Sequence, residues 1–209
     1  MSFFPILLKL KAKTCVVVGA GKIAAAKAAG LLSSGAQVVV IGPRASKWVK
    51  SQARAGKMIW HRRRVVPADV DHAFLVVAAT SSNATNEAIF RACVERGVLC
   101  NVVDDPEHCD FFYPAIVRRG PLQIAISTEG HSPALAHRLR LQLEQQFSPE
   151  YGAWVEKVGR LRRKLLNRGL APAERRRILA QIASHESFER FVQQRGATRK
   201  QQPRKKGRR

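Results

Sequence analysis

Residues 14–32 read TCVVVGAGKIAAAKAAGLL, and the fold follows from them. Cys15 to Val18 is a short run of β-forming residues with almost no polar interruption. Such a run is the signature of a parallel strand buried on both faces. Gly19-Ala20-Gly21 breaks it, and Lys22 to Leu32 continues as an alanine-rich stretch of high helix propensity. Strand, glycine turn and helix, in that order, are the context in which G-x-G carries meaning. Gly19 permits the tight turn. Gly21 lets a pyrophosphate approach the backbone, and Ala24 sits where close helix–strand packing needs a small residue. The free N–H groups of the helix start then face the phosphates. The motif also suits a plain β–α turn without ligand; its context favours a dinucleotide.

Downstream, the unit repeats. Gln37 to Ile41 (QVVVI) reads as a second strand closed by Gly42-Pro43, and Ser46 to Ala55 as a surface helix. Met58 to Arg64 (MIWHRRR) has short strand character with a basic end, and Phe74 to Ala79 is a buried strand. Asn86 to Arg96 is a helix stopped by Gly97, and Val98 to Val103 a further strand. This alternation over residues 12–105 implies an α/β fold with a parallel, doubly wound, Rossmann-type sheet. Beyond it, Phe111 to Pro114 reads as an aromatic loop and Leu122 to Ser127 as strand-like. Ala134 to Phe147 reads as an amphipathic helix, and from Pro149 the chain is helical and basic.

Charge is large and uneven. The formal net charge of the 209 residues is +22. Residues 151–209 hold 18 Lys/Arg against 4 Asp/Glu, and the tail from Gly196 carries seven basic residues and no acidic one. That tail reads as disordered. The remaining excess implies a polyanionic partner: nucleic acid, an acidic membrane or a polyanionic small molecule. No apolar run reaches the length of a membrane span. The N-terminal MSFFPILLKLKAK lacks the basic region and cleavage site of a signal peptide, so a cytoplasmic location is expected. Cys15, Cys93, Cys100 and Cys109 lie at no zinc-like spacing and are expected to be reduced and mostly in the core. No metal site is expected; His108, Cys109 and Asp110 with Cys100 match no closed zinc geometry.

Three places carry candidate chemistry. At the end of the second strand, NAD-type units often place a carboxylate for the ribose hydroxyls. Here Gly42-Pro43-Arg44 offers none, and Arg44 tolerates a 2′-phosphate, which leaves NADP open beside NAD. Thr80 and Asn83, in a polar loop at the carboxyl end of a buried strand, are placed either to line a cofactor or to cap a helix. Asn101-Val-Val-Asp104-Asp105-Pro106 puts two carboxylates at another strand end. One of them can manage the proton that accompanies hydride loss, or both can be turn residues.

In combination, Phe4 to Lys27, Ala78-Ala79-Thr80, NVVDDP (Asn101 to Pro106), FFYPAIV (Phe111 to Val117) and PLQIAISTEGHSPALAHRLR (Pro121 to Arg140) resemble the precorrin-2 dehydrogenase / sirohydrochlorin ferrochelatase family, the N-terminal module of siroheme synthases. The resemblance implies oxidation of precorrin-2 to sirohydrochlorin with NAD, and in some members insertion of ferrous iron, a substrate, to give siroheme. It implies a homodimer with a Rossmann domain over residues 1–113, a dimerisation segment over 114–148, a small helical domain over 149–195 and the basic tail over 196–209. By the same resemblance the catalytic aspartate falls on Asp104. The NAD contacts fall on Gly19, Gly21, Lys22, Ile23, Pro43 and Arg44. The turn containing Ser127, Thr128, Gly130 and Ser132 lies near the tetrapyrrole. Ala26 departs from the family, many members of which carry Arg there. The competing reading is a dinucleotide-sensing regulator that binds nucleic acid through its basic C-terminal half. No helix-turn-helix or RNA-binding signature supports it, so no specific nucleic acid and no membrane are expected as partners.

Overall fold

The computed structural model describes residues 3–201. They form two compact units, one over Phe3–Tyr113 and one from Pro114 onward. The first holds β1 (Thr14–Val18), α1 (Lys22–Ser33), β2 (Gln37–Ile41), α2 (Lys47–Arg54), β3 (Ile59–His61), β4 (Leu75–Ala78), α3 (Asn83–Arg96) and β5 (Leu99–Val102). The strands pair in the order β3-β2-β1-β4-β5, and every pairing is parallel. This is the doubly wound α/β sheet expected from the alternation. The order reverses between β1 and β4, and at that switch point the carboxyl ends of the strands open a crevice.

The unbroken apolar run of β1 has a direct cause. Val17 packs into one core with Ala24 and Ala28 of α1 and Val38 and Val40 of β2. Its neighbours Val16 and Val18 pack into the other core, with Val76, Ile89, Cys93 and Cys100. Neighbouring residues in a strand face opposite ways, so a strand covered on both faces has no position for a polar side chain. The four cysteines are free, and Cys15, Cys93 and Cys100 are buried.

Several boundaries differ from the sequence reading. Helix α3 starts at Asn83 because the Ser82 hydroxyl accepts the N–H of Thr85 at 3.3 Å and caps it there. The strand expected over Met58 to Arg64 stops at His61, and Arg63 turns instead to the carboxylate of Asp69. In the second unit, β6 (Ala115–Arg119) was not foreseen; it pairs antiparallel with β7 (Leu122–Ile126). Gly120, at φ +56, makes the turn between them. The hairpin packs closely on a helix: a Cβ on Gly120 would lie 3.1 Å from the Cα of Gly152. The helices are α4 (Pro133–Gln146), α5 (Glu150–Leu166), α6 (Pro172–Ile182) and α7 (His185–Gln201). Arg119 donates to the carbonyls of Phe147 at 2.6 Å and Glu144 at 2.8 Å, which fixes the end of α4. Tyr151 stacks on Phe188 at 4.0 Å and ties α5 to α7. Helix α7 runs to Gln201, past the boundary expected at 195; the rest of the basic tail lies outside the described residues.

Candidate active site at the carboxyl edge of the parallel sheet

The glycine turn after β1 has its conformation imposed by its surroundings. Gly19 has φ +101, and a Cβ there would lie 2.4 Å from the carbonyl oxygen of Ala79. No other residue fits. At Gly21 a Cβ would meet nothing within 4 Å, so the backbone is open to an approaching group. Helix α1 begins there, and its first internal bond runs from the N–H of Ala25 to the carbonyl of Gly21 at 3.0 Å. The N–H groups of Lys22, Ile23 and Ala24 precede that bond, and no side chain caps the turn. In α2, α3 and α4, by contrast, a serine hydroxyl accepts a first-turn N–H. Donors aimed outward from an uncapped helix start suit a pyrophosphate, and the cradle fits a dinucleotide.

Thr80 lies on the other wall of the crevice. Its N–H and hydroxyl both donate to Oδ1 of Asn86, at 3.3 and 2.7 Å, while Nδ2 of Asn86 returns a bond to the Thr80 carbonyl at 3.2 Å. Asn86 is buried in α3 and was not singled out from sequence. Its three bonds hold the loop against which Gly19 packs. Pro43 and Arg44 extend from the end of β2, both exposed.

Past β5 the chain folds back on itself. Cys100 and Asp110 exchange two bonds of 2.8 Å, one through the Asp110 carboxylate. The buried Asn101 amide donates to the carbonyl of Phe111 at 2.8 Å. This return forces a tight turn, and Asp104 takes φ +63, a conformation that non-glycine residues adopt at a cost. Of the two carboxylates, Asp105 is tied to Nδ1 of His108 at 2.7 Å, and Asp104 stays exposed at the strand end. Lys27 of α1, absent from the sequence-based candidates, answers it. Burial lowers the Lys27 pKa, and the charge of Asp104 partly restores it. Its ammonium lies 3.6 Å from the ring centroid of Tyr113, a cation–π contact.

The sheet edge thus collects Gly19, Gly21, Lys22, Ile23, Pro43, Arg44, Thr80 and Asp104 in one unit. The turn with Ser127, Thr128, Gly130 and Ser132 belongs to the other. There the Ser127 hydroxyl accepts the N–H of Glu129 at 3.1 Å, the Thr128 hydroxyl that of Ser132 at 3.2 Å, and the Ser132 hydroxyl caps α4 through Leu135. Glu129 and Gly130 both have positive φ. Among the described residues, no group of three or more His, Cys, Asp or Glu is arranged to hold a metal ion. No helix among them is long and apolar enough to cross a membrane.

Comparison with known proteins agrees with this geometry. A family model described as "Putative NAD(P)-binding" matches residues 6–115, and one described as sirohaem biosynthesis protein central matches 119–146. The siroheme synthase of Actinobacillus pleuropneumoniae serotype 3 (strain JL03) is 35% identical over 92% of this chain and 40% of its own length. Siroheme synthase 1 of Serratia proteamaculans (strain 568) is 37% identical over 85% of this chain and 37% of its own. The chain therefore spans about two fifths of the length of these curated relatives. A solved structure of SirC, precorrin-2 dehydrogenase, superposes with a TM-score of 0.78 at 26% identity, over 92% of this chain and 98% of that one. The resemblance drawn from the sequence motifs is borne out.

Proposed function

Because this chain belongs to the NAD(P)-binding family and carries a sirohaem-biosynthesis central segment behind it, we propose that it oxidises precorrin-2 to sirohydrochlorin with a nicotinamide cofactor. One observation carries the reading: an uncapped, glycine-opened helix start and a conformationally strained aspartate stand at the same edge of one parallel sheet. The nicotinamide, when bound, accepts the hydride. The chain's residues hold and orient the reactants, which makes hydride transfer largely a matter of positioning. Gly21, Lys22 and Ile23 hold the pyrophosphate through backbone N–H groups, while Gly19, whose own N–H donates to the Ile41 carbonyl at 2.8 Å, makes the close turn; Thr80 lines the crevice, and Pro43 and Arg44 flank the adenosine end. The Asp104 carboxylate receives the proton released as the tetrapyrrole is oxidised. The ammonium of Lys27, within electrostatic range, favours the charged carboxylate.

The tetrapyrrole is a polycarboxylate, and the basic second unit, including the turn of Ser127, Thr128, Gly130 and Ser132, recognises it by charge and by exposed N–H groups. Ferrous iron is a further substrate, inserted into sirohydrochlorin at the same carboxylate. The working form is a homodimer built through residues 114–148, located in the cytoplasm.

The test mixes purified protein anaerobically with enzymatically prepared precorrin-2 and either nicotinamide cofactor, and follows cofactor reduction and the tetrapyrrole spectrum together. Reduced cofactor and sirohydrochlorin rise together, and Asp104→Asn slows both by at least about a hundredfold. If the folded protein forms neither product with either cofactor, the reading fails. Iron insertion no faster than in protein-free controls removes the chelatase part alone.

A further inference from the structure

Residues 44–64 carry eight lysines and arginines and no acidic residue. Asp69 is the first acid of the whole sequence, so no nearby stretch of chain before it supplies a counter-ion. Elsewhere in this unit arginines find acidic partners: Arg63 pairs with Asp69, Arg91 with Glu87 and Arg96 with Asp71. Among the described residues, Arg44, Lys50, Arg54 and Arg62 form no ion pair. Like charges gathered without counter-ions repel one another, and a bound anion relieves that repulsion.

The fold gathers these four around one cavity of about 480 Å³, within the size range of small-molecule sites. Arg44 comes from the loop after β2, Lys50 and Arg54 from α2, and Arg62 from just after β3. Lys50 and Arg54 are four residues apart and so share a helix face. No carboxylate lines the cavity. Trp60 forms part of its wall, and its ring is held in place because Nε1 donates to the carbonyl of Gly42 at 3.0 Å. Cations supplied by three separate elements are more than a single phosphate group can meet. A chain of linked phosphates can meet them, since it presents oxygens along its length and guanidinium groups match phosphate oxygens in paired hydrogen bonds.

The loop after β2 ties this cavity to the glycine turn. At Gly42 a Cβ would lie 3.1 Å from the Cβ of Ala20, and the N–H of Ser46 donates to the Ala20 carbonyl at 2.9 Å. Pro43 and Arg44, between these anchors, wall the cavity. We propose that the cavity is a polyphosphate-binding site, separate from the dinucleotide site, and that filling it weakens dinucleotide binding. Arg44 engaged by a phosphate chain is lost to the adenosine end, and the added negative charge repels the dinucleotide pyrophosphate. Such coupling is reciprocal, so the dinucleotide weakens polyphosphate binding by the same factor. The weakening presupposes the dinucleotide site of the proposed function; the polyphosphate site does not.

Calorimetric titration of the full chain with tripolyphosphate, ATP and AMP, at physiological salt, tests the site. Tripolyphosphate and ATP bind, and AMP binds at least about tenfold more weakly than either. Tighter binding of ATP assigns the site to nucleotides, whose base stacks on Trp60; equal binding assigns it to free polyphosphate. The Arg54→Ala/Arg62→Ala double variant, shown to be folded by circular dichroism, loses at least about tenfold in tripolyphosphate affinity and keeps its NAD+ affinity within about threefold. As tripolyphosphate is raised, the apparent dissociation constant of NAD+ climbs about fivefold and then levels off, as two linked sites require. No binding of tripolyphosphate, or unchanged binding by the double variant, overturns the site. A NAD+ constant that climbs without levelling off also overturns it, because the phosphate chain then occupies the dinucleotide cradle. An unmoved NAD+ constant overturns the coupling. If NAD+ itself does not bind to the folded chain, the dinucleotide reading falls, and the tripolyphosphate titrations of parent and double variant decide the site by themselves.

Discussion

The two units bury their apolar residues to very different degrees. In the first, Val17, Val40, Val76 and Val77 have no exposed surface at all. In the second, Val117, Ala136, Leu165 and Phe191 are the buried apolar residues among those described. Leu135 and Leu141 on α4 remain 36% and 44% exposed, and Leu166 on α5 is 41% exposed. The contrast has a geometric cause. Helices cover both faces of the parallel sheet, whereas the second unit sets a two-stranded hairpin against a few helices and covers it from fewer sides. A two-stranded hairpin is marginal without such cover. The exposed leucines of α4 are surface that the proposed homodimer would cover.

Substitutions in matched positions break or sharpen this contrast. Leu75→Ala, in β4 beside the central strand, costs about 2–5 kcal/mol in urea unfolding. The corresponding Leu141→Ala stays within about 0.5 kcal/mol in the same experiment. Equal losses at the two sites would show that Leu141 is buried as fully as Leu75. Gly19→Ala comes next. Its Cβ must displace the Ala79 carbonyl at a backbone angle that alanine resists, so unfolding free energy falls by about 2–3 kcal/mol. Dinucleotide affinity, read by calorimetry, falls with it.

Lys27→Met follows, slowing turnover by about tenfold while Lys27→Arg keeps most of it. If both variants turn over like the parent, the Lys27 charge plays no part. The smallest effect belongs to Asp69. Hydrogen bonds from the Arg63 guanidinium, chiefly, hold its carboxyl below the ordinary carboxylate pKa, and the N–H of Val66 adds to this. A carboxyl with a lowered folded pKa stabilises above its unfolded pKa, and that contribution is lost as pH falls through the folded value. Asp69→Asn therefore lowers the thermal midpoint slightly near neutrality. The gap from the parent closes in acid, which melting curves across a pH series will display.

Leu141→Lys bears on the second unit alone. It shifts sedimentation from dimer to monomer at micromolar concentration with little change in the helical signal of the first unit. An unchanged sedimentation coefficient would separate the exposed face of α4 from dimer formation.

What was readable in the residues follows the same division. The bounds of β2 and the end of α3 at Gly97 were legible because their constraints are local: a fully buried strand tolerates only apolar residues, and a helix stop at φ +63 favours glycine. Strand β6 was missed because Arg118 and Arg119 mask a hairpin that buries mainly Val117. The Gly19–Gly21 turn and Asp104 were legible as motifs. Lys27, Asn86 and Asn101 were not, since a partly buried lysine or asparagine leaves no periodic mark.

The chain's own order of residues sets the alternation of strand and helix, the glycine turn and the absence of any acid before Asp69, because each depends on covalent neighbours and on steric limits within a few residues. Which distant groups meet is another matter. Arg44, Arg54 and Arg62 are gathered because β2 and β3 pair in parallel, with Ile41 opposite His61, while α2 lies between them in the chain. Asp104 comes within electrostatic range of Lys27 because the segment after β5 doubles back and forces its turn at the strand end. Both juxtapositions cost loop entropy that sheet pairing and core burial repay, so they arise only when the whole sheet assembles.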